Sequence, residues 1–145
     1  MSSRETLTVP GTDAGLRRAA SALADWTEIM ALPAETRRRV LTALDEALSN
    51  VVRHGFSRQP GQMTLTLSCD ADRLSVSVAD DAPAFNPLLV APPDVSQPLD
   101  ARRPGGLGVA LIRALSDEAT YVREAGQNVL ALSWRIDEHA APRRD

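Results

Sequence analysis

Two polar side chains that could handle a metal-bound nucleotide lie four residues apart in LDEALSNVVRHG, residues 44–55. The amide oxygen of Asn50 is the kind of hard ligand that magnesium binds, and the carboxylate of Glu46 could take a proton from an attacking hydroxyl. On a helix, residues four apart lie one turn apart on the same flank. The alternative interpretation is a solvated Glu–Asn pair on an exposed face, while His54 is more typical of a helix-end cap or a packed ring than of a ligand.

A second candidate is the stretch VADDAPAFNPL, residues 78–88, in which Asp80 and Asp81 end a strand pattern before a tight turn. A carboxylate at a strand end can accept a hydrogen bond from a ligand amine, such as the exocyclic amine of adenine. Turn aspartates are also common where no ligand binds. Both interpretations therefore stay open for this stretch taken alone.

The third candidate is PGGLGVALIR, residues 104–113, where glycines precede a helical pattern. Backbone N–H groups at the start of a helix can face an anion at the positive end of the helix dipole. Arg102 and Arg103, just upstream, could add positive charge for a triphosphate. Glycine also serves plain turns, so this short motif is weak evidence by itself.

The elements that must position these residues follow from hydrophobic periodicity, which predicts the order strand, helix, helix, strand, strand, helix, strand, strand. The predicted elements are a strand over 5–9, a helix from Thr12 or Asp13 to about Met30, a helix from Pro33 to Gly55, strands over 62–69 and 73–80, a helix from Gly105, and strands near 119–124 and 127–134. The expected apolar stripes are Leu16, Ala20, Leu23, Trp26 and Met30 on the first helix, and Val40, Leu44, Ala47, Leu48 and Val51 on the second.

This order predicts an α+β two-layer sandwich, in which a mixed, mostly antiparallel sheet is covered on one face by about three helices. We expect one domain over residues 1–145. Between 82 and 104 the periodic pattern disappears, and six of the ten prolines fall inside this window. Loops longer than about 12–15 residues are uncommon in compact domains unless they are functional or disordered, and both interpretations stay open. The tail, 137–145, is expected to fray.

The composition excludes several classes of protein. A chain of 145 residues with 43% hydrophobic and 24% charged residues is typical of one globular domain, and its net charge of -3 provides no basic field for nucleic acid or an anionic membrane. No apolar run approaches the roughly 20 residues that span a bilayer, and no signal sequence is visible, so a cytoplasmic location is expected. All sixteen basic residues are arginine, which excludes a P-loop, the ordinary protein-kinase fold and a lysine Schiff base.

Taken together and in this order, the three stretches resemble the motifs of the histidine-kinase-like ATPases of the GHKL superfamily, whose domain is the Bergerat fold. The nearest resemblance is to the small single-domain anti-sigma factor serine/threonine kinases. DEALSNVVRHG is similar to their glutamate-to-asparagine box, VADDAPAFNP to their Asp-x-Gly box followed by Phe-Asp-Pro, and GGLGVALIRALSDEATY to their Gly-x-Gly box and trailing helix. The resemblance runs from about Thr6 to Trp134.

Position by position, the resemblance implies a site for ATP and Mg²⁺. It implies that Asn50 binds the magnesium ion, that Glu46 is the general base and that Asp80 binds the amine of adenine. Residues 82–104 become an ATP lid. The implied nucleotide-binding set is completed by Ala82, Phe85, Arg102, Arg103, Gly105, Gly106, Leu107 and Gly108, with the backbone of the last three along the phosphates and Arg102 or Arg103 near the terminal phosphate.

Two positions depart from the pattern of the family. Ala82 stands where glycine is usual, two positions after the adenine aspartate, and Asn86 stands where aspartate is usual. A methyl group at position 82 could crowd the purine or force a different backbone angle. Both departures fall in the stretch that the resemblance assigns to the adenine base.

The activity implied by the resemblance is transfer of the γ-phosphate of ATP to a serine or threonine of a small anti-sigma factor antagonist. A sigma factor or another regulator would be the second partner, and a homodimer is a further expectation; nucleic acid and membranes are not expected partners. The alternative is a nucleotide-dependent binding module that switches partners without catalysis, because Asn50, Asp80 and the glycines serve both functions and only Glu46 argues for chemistry. Ala82 suggests a third alternative, a protein-interaction surface without nucleotide binding.

Overall fold

The computed structural model describes residues 3–55, 61–89 and 106–136, and the predicted order of elements is confirmed. Strands and helices in chain order are β1 (Ser3–Pro10), α1 (Asp13–Ile29), α2 (Ala34–Asn50), β2 (Gln62–Cys69), β3 (Arg73–Asp80), α3 (Gly106–Leu115), β4 (Glu118–Glu124) and β5 (Gln127–Arg135). A π-helical turn, Val51–Gly55, follows α2, and a short 3-10 turn, Pro87–Leu89, follows β3. Most of the predicted lid, with Arg102, Arg103 and Gly105, lies outside the described residues, as does the tail over 137–145. Within the three described ranges, no helix is long and apolar enough to span a bilayer.

The five strands form one sheet in the order β1-β2-β3-β5-β4, and all four neighbouring pairs are antiparallel. The sequence predicted a mixed, mostly antiparallel sheet. Strands β3 and β4 run in the same direction, but β5 lies between them, so no parallel pair forms among the described strands. This insertion pairs Val78 with Leu130 and Asp80 with Asn128, and the end of β3 therefore meets the start of β5.

One face of the sheet packs against the helices, as the period-two alternation of the strands predicts. The side chains on this face are buried and belong to one core: Met63, Leu65, Leu67, Leu74, Val76, Val78, Leu130, Leu132 and Trp134. They meet Leu23 of α1, Leu44 of α2 and Ile112 of α3 in the same cluster. The two-layer α+β sandwich expected from the sequence is thereby confirmed.

Helix α1 begins where the hydroxyl oxygen of Thr12 accepts a hydrogen bond from the backbone N–H of Gly15, at 3.1 Å. Its most buried line differs from the predicted stripe and consists of Gly15, Ala19, Leu23 and Thr27. Of the predicted stripe only Leu23 is buried, while its other four members are half-buried. The small residues explain the difference, because they let α1 approach β1 closely: a Cβ atom on Gly15 would lie 1.8 Å from the carbonyl oxygen of Pro10.

Helix α2 has Pro33 at its N-cap and buries the predicted stripe, with only Val51 half-buried. After Asn50 the backbone continues as the π-helical turn that ends at Gly55. A π turn shifts the following residues relative to a regular α-helix, and such turns are frequent at functional sites. The helical register of the stretch 44–55 therefore changes directly after Asn50.

Candidate nucleotide-binding site

A pocket open to solvent lies where α2 and α3 meet the ends of β3 and β5, and about 500 Å³ between and outside its atoms, open solvent included, is not filled by protein. Its apolar walls are Ala47, Val51, Val78, Ile112 and Leu130, and the turn after β3 adds Ala82, Pro83, Phe85 and Pro87. Four polar residues also line it: Asn50, Asp80, Tyr121 and Asn128. A largely apolar cleft with a few convergent polar groups is the usual form of a small-molecule site.

The carboxylate of Asp80 is buried in this pocket, with 5% of the residue exposed. One of its oxygens, Oδ1, accepts hydrogen bonds from the backbone N–H of Ala82, at 3.0 Å, and from Nδ2 of Asn128, at 2.9 Å. Every hydrogen bond between this side chain and a described residue uses Oδ1. The second oxygen, Oδ2, is therefore available to a hydrogen-bond donor on a ligand.

The adjacent aspartate has a different place. Asp81 is exposed, and its Oδ1 accepts a hydrogen bond from the backbone N–H of Gln62 at the start of β2, at 3.0 Å. It does not line the pocket. Of the two neighbouring aspartates, the one that lines the pocket is thus Asp80, to which the resemblance assigns the adenine amine.

Asn128 was missed by sequence reasoning, although both ends of its carboxamide are hydrogen-bonded within this site. Its Nδ2 donates to Asp80 and lies 3.3 Å and 3.1 Å from the carbonyl oxygens of Ala82 and Pro83. Its Oδ1 accepts hydrogen bonds from the backbone N–H of Phe85, at 3.0 Å, and from the hydroxyl of Tyr121. The sequence did carry a signal, since Asn128 holds an inward position on β5 among buried leucines, and a buried polar group needs partners.

Ala82, which stands where the family pattern has glycine, fits the turn without backbone strain. It is 3% exposed and forms part of the pocket wall. Among the described residues other than glycine, a positive φ occurs only at Ala31 and Ala125. The carbonyl oxygen of Ala82 also accepts a hydrogen bond from Arg123 of β4, at 2.8 Å. The methyl group therefore narrows the pocket but does not force the backbone into a strained conformation.

The rest of the turn is held by its own polar groups. The backbone N–H of Phe85 is bound by Asn128, while the phenylalanine itself is 51% exposed at the pocket rim. Asn86, at the second departure from the pattern, accepts a hydrogen bond from the backbone N–H of Leu88 at 2.9 Å and so closes the following short turn. Arg113 of α3 donates to the carbonyl oxygen of Leu88, at 2.7 Å. The start of the predicted lid is thus fastened to both β5 and α3.

Arg53, which was not predicted from the sequence as a site residue, links Glu46 and Asn50 of α2. Asn50 is 8% exposed and lines the pocket, whereas Glu46, one turn earlier, is half-buried and outside the lining. Arg53 of the π-helical turn donates through Nη2 to Oδ1 of Asn50, at 3.3 Å, and the same nitrogen lies 4.0 Å from Oε2 of Glu46. Glu46 and Asn50 therefore face a common region, in which the positively charged guanidinium group of Arg53 lies.

The phosphate-binding backbone implied by the sequence is the first turn of α3, where Gly106, Leu107 and Gly108 lie. Ile112, further along the same helix, is buried against the pocket. With a rise of about 1.5 Å per residue, the glycine turn lies roughly 6–9 Å from Ile112 along the helix axis. That is the scale of a phosphate chain extending from a base in the pocket.

The residues present also fit a magnesium ion of the expected kind. In the part of the chain that the structure describes, no three His, Cys, Asp or Glu side chains come together as a metal cluster. Mg²⁺ is commonly held by one or two protein oxygens together with water and substrate phosphates. The single amide oxygen of Asn50 beside the carboxylate of Glu46 is consistent with such a site.

Comparison with known proteins agrees with this geometry. The family model described as histidine kinase-like ATPase domain matches residues 9–134. The chain is 34% identical over 122 residues to serine/threonine-protein kinase BtrW of Bordetella bronchiseptica, an alignment that covers 81% of this chain and 83% of that protein. It is 33% identical to serine-protein kinase RsbW of Bacillus mycoides over 63% of this chain, and it spans only 60% of that relative.

Solved structures show the same fold. The crystal structure of the RsbU and RsbW domains of Rv1364c from Mycobacterium tuberculosis matches 92% of this chain and 32% of that one, with a TM-score of 0.67 and 19% identity. The histidine kinase domain of the blue-light activated kinase EL346 from Erythrobacter litoralis matches 86% of this chain and 61% of its own, with a TM-score of 0.57 and 24% identity. The chain belongs to the histidine kinase-like ATPase domain family and, within it, to the anti-sigma factor serine/threonine-protein kinases.

Proposed function

We propose that this protein is an ATP-dependent serine/threonine kinase that phosphorylates a small anti-sigma factor antagonist and regulates transcription by partner switching. The observation that carries the proposal is the pocket in which Asp80 and Asn50 converge, in a chain similar over most of its length to a named serine/threonine-protein kinase. Burying a polar group is costly unless it is satisfied, and Oδ2 of the buried Asp80 receives no hydrogen bond from a described residue. Asp80 and Asn50 are suited to a ligand that has a base at one end and phosphates at the other.

In this proposal the base of ATP occupies the apolar part of the pocket. Oδ2 of Asp80, which no residue in the described ranges binds, accepts a hydrogen bond from the exocyclic amine of adenine, and Ala82 and Phe85 contact the ring. The backbone of Gly106, Leu107 and Gly108 lines the phosphates at the positive end of the α3 dipole. Arg102, Arg103 and Gly105 keep the roles that the resemblance implies, at the terminal phosphate and at the start of this turn.

Glu46 is proposed as the general base. The hydroxyl oxygen of the substrate serine or threonine attacks the γ-phosphorus, the bond between that phosphorus and the bridging oxygen of ADP breaks, and the hydroxyl proton passes to the Glu46 carboxylate. Asn50 would hold Mg²⁺ through Oδ1, which first requires Arg53 to release that oxygen. The bound ion would neutralise charge on the phosphates and so favour an in-line transfer.

The proposed partners follow from this chemistry. Phosphorylation of the antagonist changes which protein the kinase holds, and the second partner is a sigma factor or another regulator. We include in the proposal a cytoplasmic location, as the sequence predicts, and a homodimer, as the resemblance implies. One observation favours the alternative of a non-catalytic, nucleotide-dependent binding module: Glu46 lies outside the pocket lining and faces Arg53.

Two measurements on the same variants separate the kinase from the binding module. Binding of Mg²⁺·ATP is measured by calorimetry, and phosphate transfer is measured with γ-labelled ATP and candidate antagonists whose acceptor serine or threonine is also replaced by alanine. We expect Glu46→Ala to bind ATP within about threefold of the unmodified protein and to transfer phosphate about 10²–10⁴ times more slowly, the usual contribution of a general base. Asp45→Ala is the matched control, because Asp45 is an exposed carboxylate on the same helix. A protein that binds ATP but labels no antagonist would contradict the kinase and leave the binding module.

A further inference from the structure

We propose that Asn128 is the positioning residue that makes the pocket specific for an adenine base, by occupying one oxygen of Asp80 and presenting the other to the ligand. This inference rests on the proposed function. Asn128 is 6% exposed, lies opposite Asp80 in the β3–β5 register, and lines the pocket. Its Nδ2 donates to Oδ1 of Asp80 at 2.9 Å.

The orientation of the Asn128 side chain is set by the chemistry of its neighbours. The backbone N–H of Phe85 and the hydroxyl of Tyr121 approach one end, where a backbone N–H requires an acceptor. The Asp80 carboxylate and the carbonyl oxygen of Pro83 approach the other end, where both require a donor. A carboxamide flipped by 180° would face an N–H with its own N–H and a carboxylate with its own oxygen. Only the observed orientation satisfies both ends.

A carboxamide is also the side chain that this position requires. It offers two N–H donors and an oxygen with two lone pairs, and all four are used here. A hydroxyl has one donor only, and a carboxylate has no donor and would repel Asp80. With Asn128 in place, Oδ1 of Asp80 receives two donors, including the backbone N–H of Ala82.

The consequence for the ligand concerns Oδ2 of Asp80. The two described donors both bind Oδ1 and hold the carboxylate in one orientation, so a donor on a ligand in the pocket has Oδ2 as its acceptor. An exocyclic amine is a donor and fits such an acceptor. A base with a carbonyl oxygen at the same place would face an acceptor with an acceptor, which leaves both unsatisfied. Asn128 therefore acts through Asp80 and touches the amine only indirectly.

Asn128 also fastens the turn at Pro83 and Phe85, so a loss of ATP binding alone would not distinguish positioning from folding. The test therefore compares two ligands: ATP and purine riboside triphosphate, which lacks the exocyclic amine. Dissociation constants for both are measured by calorimetry with Mg²⁺ at pH 8. The unmodified protein is expected to prefer ATP by about tenfold or more, the value of a hydrogen bond to a charged acceptor.

The variants divide the roles of Asn128. Asn128→Ala removes every contact, whereas Asn128→Asp keeps the acceptor for Phe85 and Tyr121, loses the donor to Asp80 and Pro83, and adds a carboxylate that repels Asp80. We expect both variants to bind the two ligands within about threefold of each other, because the amine no longer meets a fixed acceptor. Asn86→Ala is the matched control, since it removes an asparagine from the same turn without touching Asp80, and it should keep the full preference.

The outcomes are distinct. If either Asn128 variant keeps the preference for ATP, or if the unmodified protein binds ATP and the analogue equally, the positioning role is wrong while nucleotide binding stands. If Asn128→Ala does not fold, Asn128→Asp decides alone, because it retains the size of asparagine and the acceptor for Phe85 and Tyr121. Failure of the unmodified protein to bind ATP at all would overturn the proposed function, and this inference with it.

Discussion

Two neighbouring aspartates show how one position along a strand decides a residue's role. Asp80 and Asp81 have the same side chain, yet Asp80 lies in the pocket and Asp81 lies at the surface, where it holds the start of β2. Successive residues of a strand point to opposite faces, and Asp80 continues the inward line of Val76 and Val78. The two therefore provide a matched pair for testing base recognition.

We expect Asp80→Asn to weaken ATP binding by about 10- to 100-fold, because a hydrogen bond to a charged acceptor contributes about 1.5–3 kcal/mol. Asp81→Asn should leave the dissociation constant within about threefold of the original and lower the free energy of unfolding by at most about 1 kcal/mol, through a weaker bond to Gln62. Calorimetric titration and chemical denaturation check both. Equal losses of ATP affinity in the two variants would show that Asp80 is not the base-binding aspartate.

At the scale of the elements, the close contact of α1 with β1 depends on one glycine. Gly15 lies on the most buried line of α1, where an added Cβ would lie 1.8 Å from the carbonyl oxygen of Pro10. Backbone atoms cannot move aside as a flexible side chain can, so the helix would have to shift away from the sheet. Gly126 offers a contrast, because its φ is +75° but an added Cβ would have nothing within 4 Å.

Gly15→Ala is expected to lower the free energy of unfolding by more than about 3 kcal/mol, because overpacking against backbone displaces α1 from the core. Gly126→Ala should cost only about 1–2 kcal/mol, the penalty for a left-handed backbone with a Cβ atom. Urea denaturation of the two variants, followed by circular dichroism, measures the difference. If Gly126→Ala lowered the free energy of unfolding more than Gly15→Ala, the contact between α1 and β1 would be less tightly packed than its geometry indicates.

The hairpin between β4 and β5 has a residue that its backbone does not favour. Ala125 and Gly126 form a two-residue connection between Glu124 and Gln127, and both have positive φ, with Ala125 at +53°. Hairpin turns of this kind favour asparagine or glycine at the first position. The β4–β5 hairpin is therefore held in its register despite a small local strain.

Ala125→Asn should raise the free energy of unfolding by about 0.5–1 kcal/mol, since asparagine tolerates the left-handed conformation better than alanine does. Thermal unfolding would show this as a rise of about 1–4 °C for a domain of this size. Ala119→Asn on the regular part of β4 serves as the control and is expected not to stabilise. A lower melting temperature for Ala125→Asn would contradict the turn assignment.

At the scale of the whole molecule, the pocket joins the two layers of the sandwich. Its lining comes from α2 and α3 on one side and from β3, β4 and β5 on the other. A ligand that binds there contacts both layers and binds the folded state alone. Nucleotide binding should therefore stabilise the entire domain rather than one segment.

Mg²⁺·ATP at 100 times its dissociation constant should stabilise the domain by about 2.7 kcal/mol. For a chain of this size, that corresponds to a rise in melting temperature of about 5–11 °C. Differential scanning calorimetry checks the shift, with Asn50→Ala as the variant that should lose most of it when Mg²⁺ is present. The absence of a shift in the unmodified protein at millimolar ATP would argue against the pocket as a nucleotide site.

The sequence by itself determined the order of the elements, the two hairpins and the three motifs, because each of these depends on local periodicity or on spacing within a short stretch. The resemblance of these motifs to the family also assigned the adenine amine to Asp80 and not to Asp81. The sequence did not predict the deepest line of α1, because the small residues Gly15 and Ala19 are favoured by close contact with β1 and not by their hydrophobicity.

Only the tertiary structure decided how the site is assembled. Asn128 reaches Asp80 across 48 positions of the chain, and this contact exists because β5 is inserted between β3 and β4 in a fixed register. The link from Arg53 to Asn50 joins residues only three positions apart, but it lies at a π-helical turn that hydrophobic periodicity did not predict. Contacts between distant segments follow from strand order and register, which depend on the packing of the whole sheet, whereas periodicity reports only on one element at a time.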